Sequence, residues 1–528
     1  MIQFFLTAIY LFTLMSCSSA SFRRENDSTP RDYQNDPEYP LAAAFDSLLR
    51  DGSELTAAIE MAKIHCKKTN PSPLCSPIKK IKTLKKLLTQ KKAVYHPSVV
   101  KPLVPMIPAW KGNQITNWKA LKKSPIPNLL KGLLPLNQEQ LLQISKKSID
   151  EKKCPNNIAI ATAATLEDYL PNSDLFTVLA ALYEKGGLCT KTSPVDRENF
   201  LTRAGIFYYL GNKLPEALVV LNKIRATDAY SGRAAYWTYR VKKAMADSEG
   251  VAKALNRLNS QHRFSFHNLV ASHQENREPI PEFSRSLTFP TRSKKYKKFN
   301  DDIYSAEILS KFGFTESSHL LVDWLLTQPQ ILEADLRVYL AQLGDPHAKV
   351  MQMPGILMFN PELISKESIT ANFPEAYFSI FEKYGRRANT YLLLAIARRE
   401  SSFNPKAVSP ANAQGLLQMN PETVKVLFPN ENFNLLDPET NISIASKYLS
   451  KVLDEMGGDL SLTLSAYNAG EEQAKTWEKR YPREDKILWI DLIPFRETRD
   501  YVANVLSTYH WYRKIYENNS DFSDLLSR

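Results

Sequence analysis

The stretch Ala395-Ile396-Ala397-Arg398-Arg399-Glu400-Ser401-Ser402-Phe403-Asn404-Pro405 decides how this chain is read. Before it runs Tyr391-Leu392-Leu393-Leu394-Ala395-Ile396, an apolar helical segment, and Asn404-Pro405 is a loop signal. Glu400 therefore stands where a buried helix gives way to a loop. A carboxyl placed there is half desolvated yet open to a cleft. Desolvation disfavours the charged form and raises a carboxyl pKa, which is what a general acid needs to hold a proton near neutrality. By itself, a Glu at a helix end is an ordinary solvated charge.

Working outward, helical periodicity dominates and Gly is scarce, at 17 of 528 residues. Alternating strand runs and hairpin turns are not evident, so an all-α fold is expected. A chain this long exceeds one core and implies two or more domains. From Leu41 to about Arg277, apolar residues recur at helical spacing in short segments broken by Pro, Gly or Asn-Lys. Phe207-Tyr208-Tyr209-Leu210-Gly211-Asn212-Lys213-Leu214-Pro215-Glu216-Ala217-Leu218 reads as one turn of a helical-hairpin repeat, and so does Leu309 to Leu321 around Phe312-Gly313-Phe314. Stacked helix pairs of degenerate period make an irregular, solenoid-like α-superhelix over residues 40–369. Residues 279–300 read as a crossing loop, and a mobile joint is expected near Phe359–Pro374.

Three further segments follow the Glu400 stretch in order: Gly415-Leu416-Leu417-Gln418-Met419, then Ser465-Ala466-Tyr467-Asn468-Ala469-Gly470, then Ile493-Pro494-Phe495-Arg496-Glu497-Thr498-Arg499-Asp500-Tyr501-Val502. With Glu400-Ser401 they resemble the catalytic domain of the soluble lytic murein transglycosylases, whose fold is similar to goose-type lysozyme. The match covers roughly 370–525 of an expected catalytic domain at 370–528, and Arg233 to Trp237 with His262 to Ala271 resembles, more weakly, that family's α-superhelical N-terminal domain. Departures are mild: Leu417 where the family has Met, Phe403 where Trp is frequent, and Asn412 where Gly is common. Asn412 suits a left-handed backbone.

The resemblance implies a peptidoglycan-cleaving enzyme without a cofactor or metal. Glu400 would protonate the oxygen between N-acetylmuramic acid and N-acetylglucosamine, then act as base on the muramoyl C6 hydroxyl. That hydroxyl attacks C1 and closes a 1,6-anhydro ring. Ser401, Gln418, Tyr467, Asn468 and Tyr501 would bind substrate or support the acid. A second carboxyl, as glycosidases commonly need, has weak candidates: Asp459 reads as an N-cap, and Glu471 and Glu472 as charges opening a helix. Two rival readings stay open, a hydrolytic muramidase on the same fold and a non-catalytic wall-binding scaffold.

Residues 2–16 form an apolar run too short to span a membrane and read as a signal peptide, although no Lys or Arg precedes it. Leu14-Met15-Ser16-Cys17 resembles a lipobox, making Cys17 the lipidated N-terminus; cleavage after Ser18-Ser19-Ala20 is the alternative. Residues 18–39 read as a flexible tether. Export to the periplasm, with outer-membrane attachment through the lipid, would leave Cys66, Cys75, Cys154 and Cys189 to form two disulfides. Local pairing, Cys66 with Cys75 and Cys154 with Cys189, closes the shortest loops. No Cys-x-x-Cys or paired His accompanies them to favour a metal.

The chain carries a formal +12, whereas residues 370–528 hold 19 basic and 21 acidic residues, so the positive excess lies upstream. Lysines cluster at Lys79, Lys80, Lys82, Lys85, Lys86, Lys91 and Lys92 and at Lys294, Lys295, Lys297 and Lys298. Such a field favours an anionic polymer. No nucleic-acid motif accompanies it, and peptidoglycan, whose peptides carry carboxylates, is the expected partner, with other cell-wall enzymes possible. Solvated helix faces are the plain alternative.

Overall fold

The computed structural model describes residues 126–528 apart from 152–156, 190–191, 225–231, 281–296, 329–330, 332, 386–388, 520, 523–524 and 526–528. It also describes residues 42–43, 45–46, 75, 110–111, 114–115 and 118 upstream. The signal and lipidation reading at Cys17, the tether 18–39, Cys66, Cys154, the first lysine cluster, and Lys294 and Lys295 lie outside the described residues. Cys75 and Cys189 are buried, each 3% exposed. The fold is all α. Among the described residues the exceptions are a two-residue antiparallel ladder, Trp110–Lys111 with Gln114–Ile115, and two isolated bridges at 408, 414 and 419. None of the described helices is long and apolar enough to cross a membrane.

By backbone contacts the chain groups into two compact units, each discontinuous in sequence. One joins residues 1–98 with 282–446, the other 99–281 with 447–528.

In the second unit the predicted hairpin is present. Helix Pro194–Leu210 ends at Gly211 and Asn212, Asn212 takes φ +54°, and helix Leu214–Leu221 returns. Caps start the helices. Asn137 and Gln140 form a reciprocal capping box, and Ser193, Asp247 and Ser265 each accept from the backbone N–H three residues on. Two buried polar clusters join parts of the unit that are far apart in sequence. Glu167 accepts from Arg203, from the Tyr183 hydroxyl at 2.5 Å and from the Tyr481 hydroxyl at 2.6 Å. Asp491 accepts from Arg233 Nε at 2.6 Å and Trp237 Nε1 at 2.7 Å, with His267 Nε2 at 3.0 Å. Burial alone pushes both carboxyls up. The charges of Arg203 on Glu167, and of His267 and Arg233 on Asp491, together with these hydrogen bonds, outweigh it and hold both below the ordinary carboxylate range.

In the first unit, helices Asn300–Lys311 and Thr315–Leu326 form the second predicted hairpin around Gly313. Their apolar faces (Phe299, Ile303, Leu309, Leu321, Leu325) share one core with Ala42, Phe45 and Cys75. The segment Phe359–Pro374 contains a 3₁₀ turn, Pro361–Leu363, and helix Lys366–Asn372. Ser365 and Ser368 cap that helix reciprocally, and Ile369, Ala371 and Phe373 are buried. A capping box of two serines, without the usual Glu or Gln, is a faint sequence signal.

Candidate active site

Helix Thr390–Ser401 carries Glu400 in its last turn. Asn389 starts it, its side-chain oxygen accepting from Tyr391 N at 2.9 Å and Leu392 N at 3.3 Å. Leu392 to Ala397 are fully buried, so the helix is fixed as a rod, while Glu400 is only partly buried. The chain then turns sharply, with Ser402 at φ +50° and Phe403 at φ +63°. Two successive non-glycine residues in the left-handed region are strained and persist only where the surroundings hold them. Three things do so. Phe403 is buried at 2% exposure; Ser402 N donates to Arg398 O at 3.2 Å; and His347, at the start of helix Pro346–Phe359, places Nδ1 3.0 Å from the Ser402 carbonyl oxygen. A carbonyl only accepts, so His347 donates from Nδ1. On the other flank, Arg398 donates to Asn372 O at 3.2 Å and Asn372 Oδ1 at 3.1 Å and lies over the Phe373 ring.

Ser401 is buried, and its hydroxyl donates to Leu416 O at 2.8 Å, with Ala397 O at 3.2 Å. That bond fastens the end of helix Thr390–Ser401 to the turn containing Gln418. Gly415 takes φ +80°, and a Cβ there would run into the Leu435 carbonyl oxygen and the Asn441 amide, so only glycine fits. Gln418, at φ +47°, donates both amide hydrogens inward, to Gly415 O at 2.9 Å and Ala407 O at 3.1 Å. Its carbonyl oxygen remains an acceptor after both amide hydrogens are used. Asn420 caps the next helix, Pro421–Leu427, as its sequence position implies, accepting from Glu422 N at 2.8 Å.

Sequence reasoning missed Asn441. It is fully buried on helix Pro438–Glu455, accepts from Leu417 N at 2.8 Å, and donates to Gln414 O and Leu435 O, each at 2.9 Å. An Asn among the apolar positions of an amphipathic helix (Ile442, Ala445, Leu449) was the available signal.

In the unit of residues 99–281 and 447–528, Tyr467 and Asn468 end helix Leu460–Ala469, where Gly470 at φ +92° breaks it. The Tyr467 ring is tilted against Tyr448, with centroids 5.4 Å apart. Asn468 Oδ1 accepts from the Thr498 hydroxyl at 2.7 Å, which fixes the orientation of the side-chain amide. Tyr501, 2% exposed, is on helix Arg496–Tyr516, one turn beyond Thr498.

Of the competing carboxyls, Glu471 and Glu472 open helix Glu471–Arg480 as expected. Asp459 is an N-cap, bonded to Leu462 N and Ser461 and paired with Arg483 and Lys486 at 3.0 Å. Although burial pushes its carboxyl up, those hydrogen bonds and charges hold it below the usual range. Burial raises the Glu375 carboxyl. It accepts from the hydroxyl of Tyr391, which stands at the opposite end of helix Thr390–Ser401 from Glu400. Among the described residues no group of three or more His, Cys, Asp or Glu is arranged to hold a metal.

Residues 378–490 match the family described as the transglycosylase SLT domain. The chain is 39% identical over 158 residues to the soluble lytic murein transglycosylase of Escherichia coli K12, covering 28% of this chain and 24% of that protein. It is 32% identical over 162 residues to a putative soluble lytic murein transglycosylase of Haemophilus influenzae, covering 29% and 27%. These matches span about a quarter of the relatives' lengths. A structure of the lytic transglycosylase Slt of Pseudomonas aeruginosa, in an inactive variant, shares the fold with a TM-score of 0.53 at 18% identity, covering 92% of this chain and 75% of that one.

Proposed function

Starting from a C-terminal segment that belongs to the transglycosylase SLT domain family, we propose that this chain is a lytic transglycosylase of peptidoglycan, with Glu400 as its general acid and then base. Glu400 gives its proton to the glycosidic oxygen between N-acetylmuramic acid and N-acetylglucosamine as the C1–O bond breaks. The resulting carboxylate takes the proton of the muramoyl C6 hydroxyl while that oxygen bonds to C1. The proton borrowed is returned, the nucleophile comes from the substrate, and a 1,6-anhydro end forms without water.

The observation that carries this reading is the elbow after Glu400. A partly exposed carboxyl lies in the last turn of a helix whose residues 392–397 are fully buried, and the backbone beyond it is held in a strained turn by His347 and by the Ser401–Leu416 bond. A reacting carboxyl needs such fixed placement. Gln418, Tyr467, Asn468 and Tyr501 are assigned to the sugar. Ser401 acts through the turn it fastens. Export to the periplasm, lipid on Cys17 and the Cys66–Cys75 and Cys154–Cys189 pairs belong to the same proposal. The mass of the mature N-terminus and a non-reducing peptide map test those parts.

The central test is digestion of purified sacculi by the full chain and by Glu400→Gln. The wild type is expected to release muropeptides one water lighter than reducing-end products. Glu400→Gln should lower turnover by about 10²–10⁴-fold while unfolding free energy stays within about 1 kcal/mol. Reducing-end products would establish hydrolysis instead, and an active Glu400→Gln preparation would remove the assignment.

A further inference from the structure

Residues 99–281 and 447–528 enclose a pocket of about 440 Å³ of empty space, part of it open to solvent. Its wall carries four guanidinium groups. Three have carboxylate partners, Arg496 only a distant one. Arg203 is paired with Glu167, and Arg233 with Asp491 at 2.6 Å and Asp500 at 2.9 Å. Arg499 is held differently. It is 2% exposed, and its hydrogen bonds go to neutral oxygens, Ile493 O at 2.5 Å and Asn199 Oδ1. Arg496 stands at the rim, 45% exposed, with Asp196 at 4.0 Å. Burial, with Arg233 and Arg203 adding their repulsion, depresses the Arg499 guanidinium to about 9. A buried cation bonded only to neutral oxygens is what an incoming anion relieves.

A second, independent feature points the same way. Thr202, 2% exposed, lines the pocket, and its Oγ1 is buried without a hydrogen-bond partner. Buried hydroxyls are seldom left so. Glu198 is a carboxylate on the same wall and works against a second negative charge. With Glu167 counted against Arg203 the wall is balanced overall, so the attraction is local to Arg499 and Arg496.

We propose that this pocket binds a carboxylate, gripped by the Arg499 and Arg496 guanidinium groups and accepting a hydrogen bond from Thr202 Oγ1. A guanidinium presents paired N–H groups that fit the two oxygens of a carboxylate. The carboxylate can come from a free small acid or from the C-terminus of a wall peptide. The site is independent of Glu400, so its test does not use turnover.

The test uses the full chain. Its unfolding midpoint is followed against sodium acetate, with sodium chloride at matched ionic strength as control, and then against a wall-type tetrapeptide with a free or an amidated C-terminus. Acetate is expected to raise the midpoint in a saturable way where chloride does not. Thr202→Val and Arg496→Gln should each weaken the apparent affinity by about fivefold or more, the loss of one hydrogen bond. Thr202→Val removes an unpartnered hydroxyl, so its midpoint without acetate should hold or rise. A free-acid peptide that binds more tightly than acetate and than its amide identifies the wall peptide as the source. Equal binding of free acid and acetate identifies small acids. No effect of acetate beyond chloride, or equal affinity in the wild type and both variants, would overturn the proposal.

Discussion

Gly415 and Gly313 share a left-handed backbone, at φ +80° and +78°, and differ in what surrounds them. Around Gly313 nothing lies within 4 Å of a Cβ, whereas at Gly415 the Leu435 carbonyl and the Asn441 amide occupy its place. Gly313→Ala should therefore cost only the backbone penalty, about 1–2 kcal/mol, and leave wall digestion intact. Gly415→Ala carries the same penalty plus a clash with main chain. It should cost more than about 3 kcal/mol, or displace the turn and abolish digestion through Gln418. Chemical denaturation of both variants separates the two effects, and equal losses would mean the turn is soft. Gly415 was legible as part of a motif, but its reason was not, because Leu435 and Asn441 approach it from 20 and 26 residues away.

At the scale of the element, the end of helix Thr390–Ser401 depends on a residue outside the motifs. His347 donates to the Ser402 carbonyl and so stabilises a turn the backbone disfavours. His347→Ala should lower the turnover of wall digestion by about tenfold, as misplacement of a reacting group does, with a stability loss of about 1 kcal/mol. His347→Asn, whose amide can donate from nearly the same place, should recover most of the rate. Full activity in His347→Ala would show that the elbow holds itself. Elements whose signals are local were readable in advance. Asn420 before Pro421 and Asp459 before Leu460 cap helices in the structure as their positions imply. Helix Lys366–Asn372 was not readable, since its ordering comes from the burial of Ile369 and Phe373 and from Arg398, 26 residues on, bonding Asn372. His347 escaped notice for the same reason, with 55 residues between donor and acceptor.

At the scale of the whole molecule, buried ionisable groups set its acid tolerance. Burial holds His510 at about 3, with Lys514 and Arg513 adding to the effect, and holds His262 at about 4, with Arg257 and His267 adding. An unfolded chain binds these protons near 6.5. Stability from the neutral imidazoles is thus complete above that pH and is lost as pH falls toward 4 and 3, by roughly 1.4 kcal/mol per pH unit for each. His510→Phe, which keeps an aromatic ring against Trp511 and Phe522, should flatten the fall of the unfolding midpoint between pH 6.5 and 4. An unchanged slope would exclude His510 as a source. Helical content and the hairpins were visible in the periodicity. The sharing of a unit by residues 99–281 and 447–528 was not, because periodicity carries no information on which distant helices meet. That sharing predicts that a fragment of residues 370–528 does not fold stably alone. It would leave Tyr481, Asp491 and Arg499 without Glu167, Arg233 and Asn199, and removing one partner of a buried ion pair costs about 3–5 kcal/mol. A cooperative unfolding transition in that fragment would contradict this.

The Arg233–Asp491 pair also sets a clock on synthesis. Arg233 leaves the ribosome 258 residues before Asp491, an interval of roughly 13–50 s at about 5–20 residues per second. Over that time the nascent chain carries Arg203 and Arg233 without the carbonyl and carboxylate groups at Asp491 that later receive them. The unit of residues 99–281 and 447–528 therefore cannot be completed until its last helices emerge. A chain stalled before residue 491 therefore holds Arg233 without either of its carboxylates and lacks the helix that bears Tyr501.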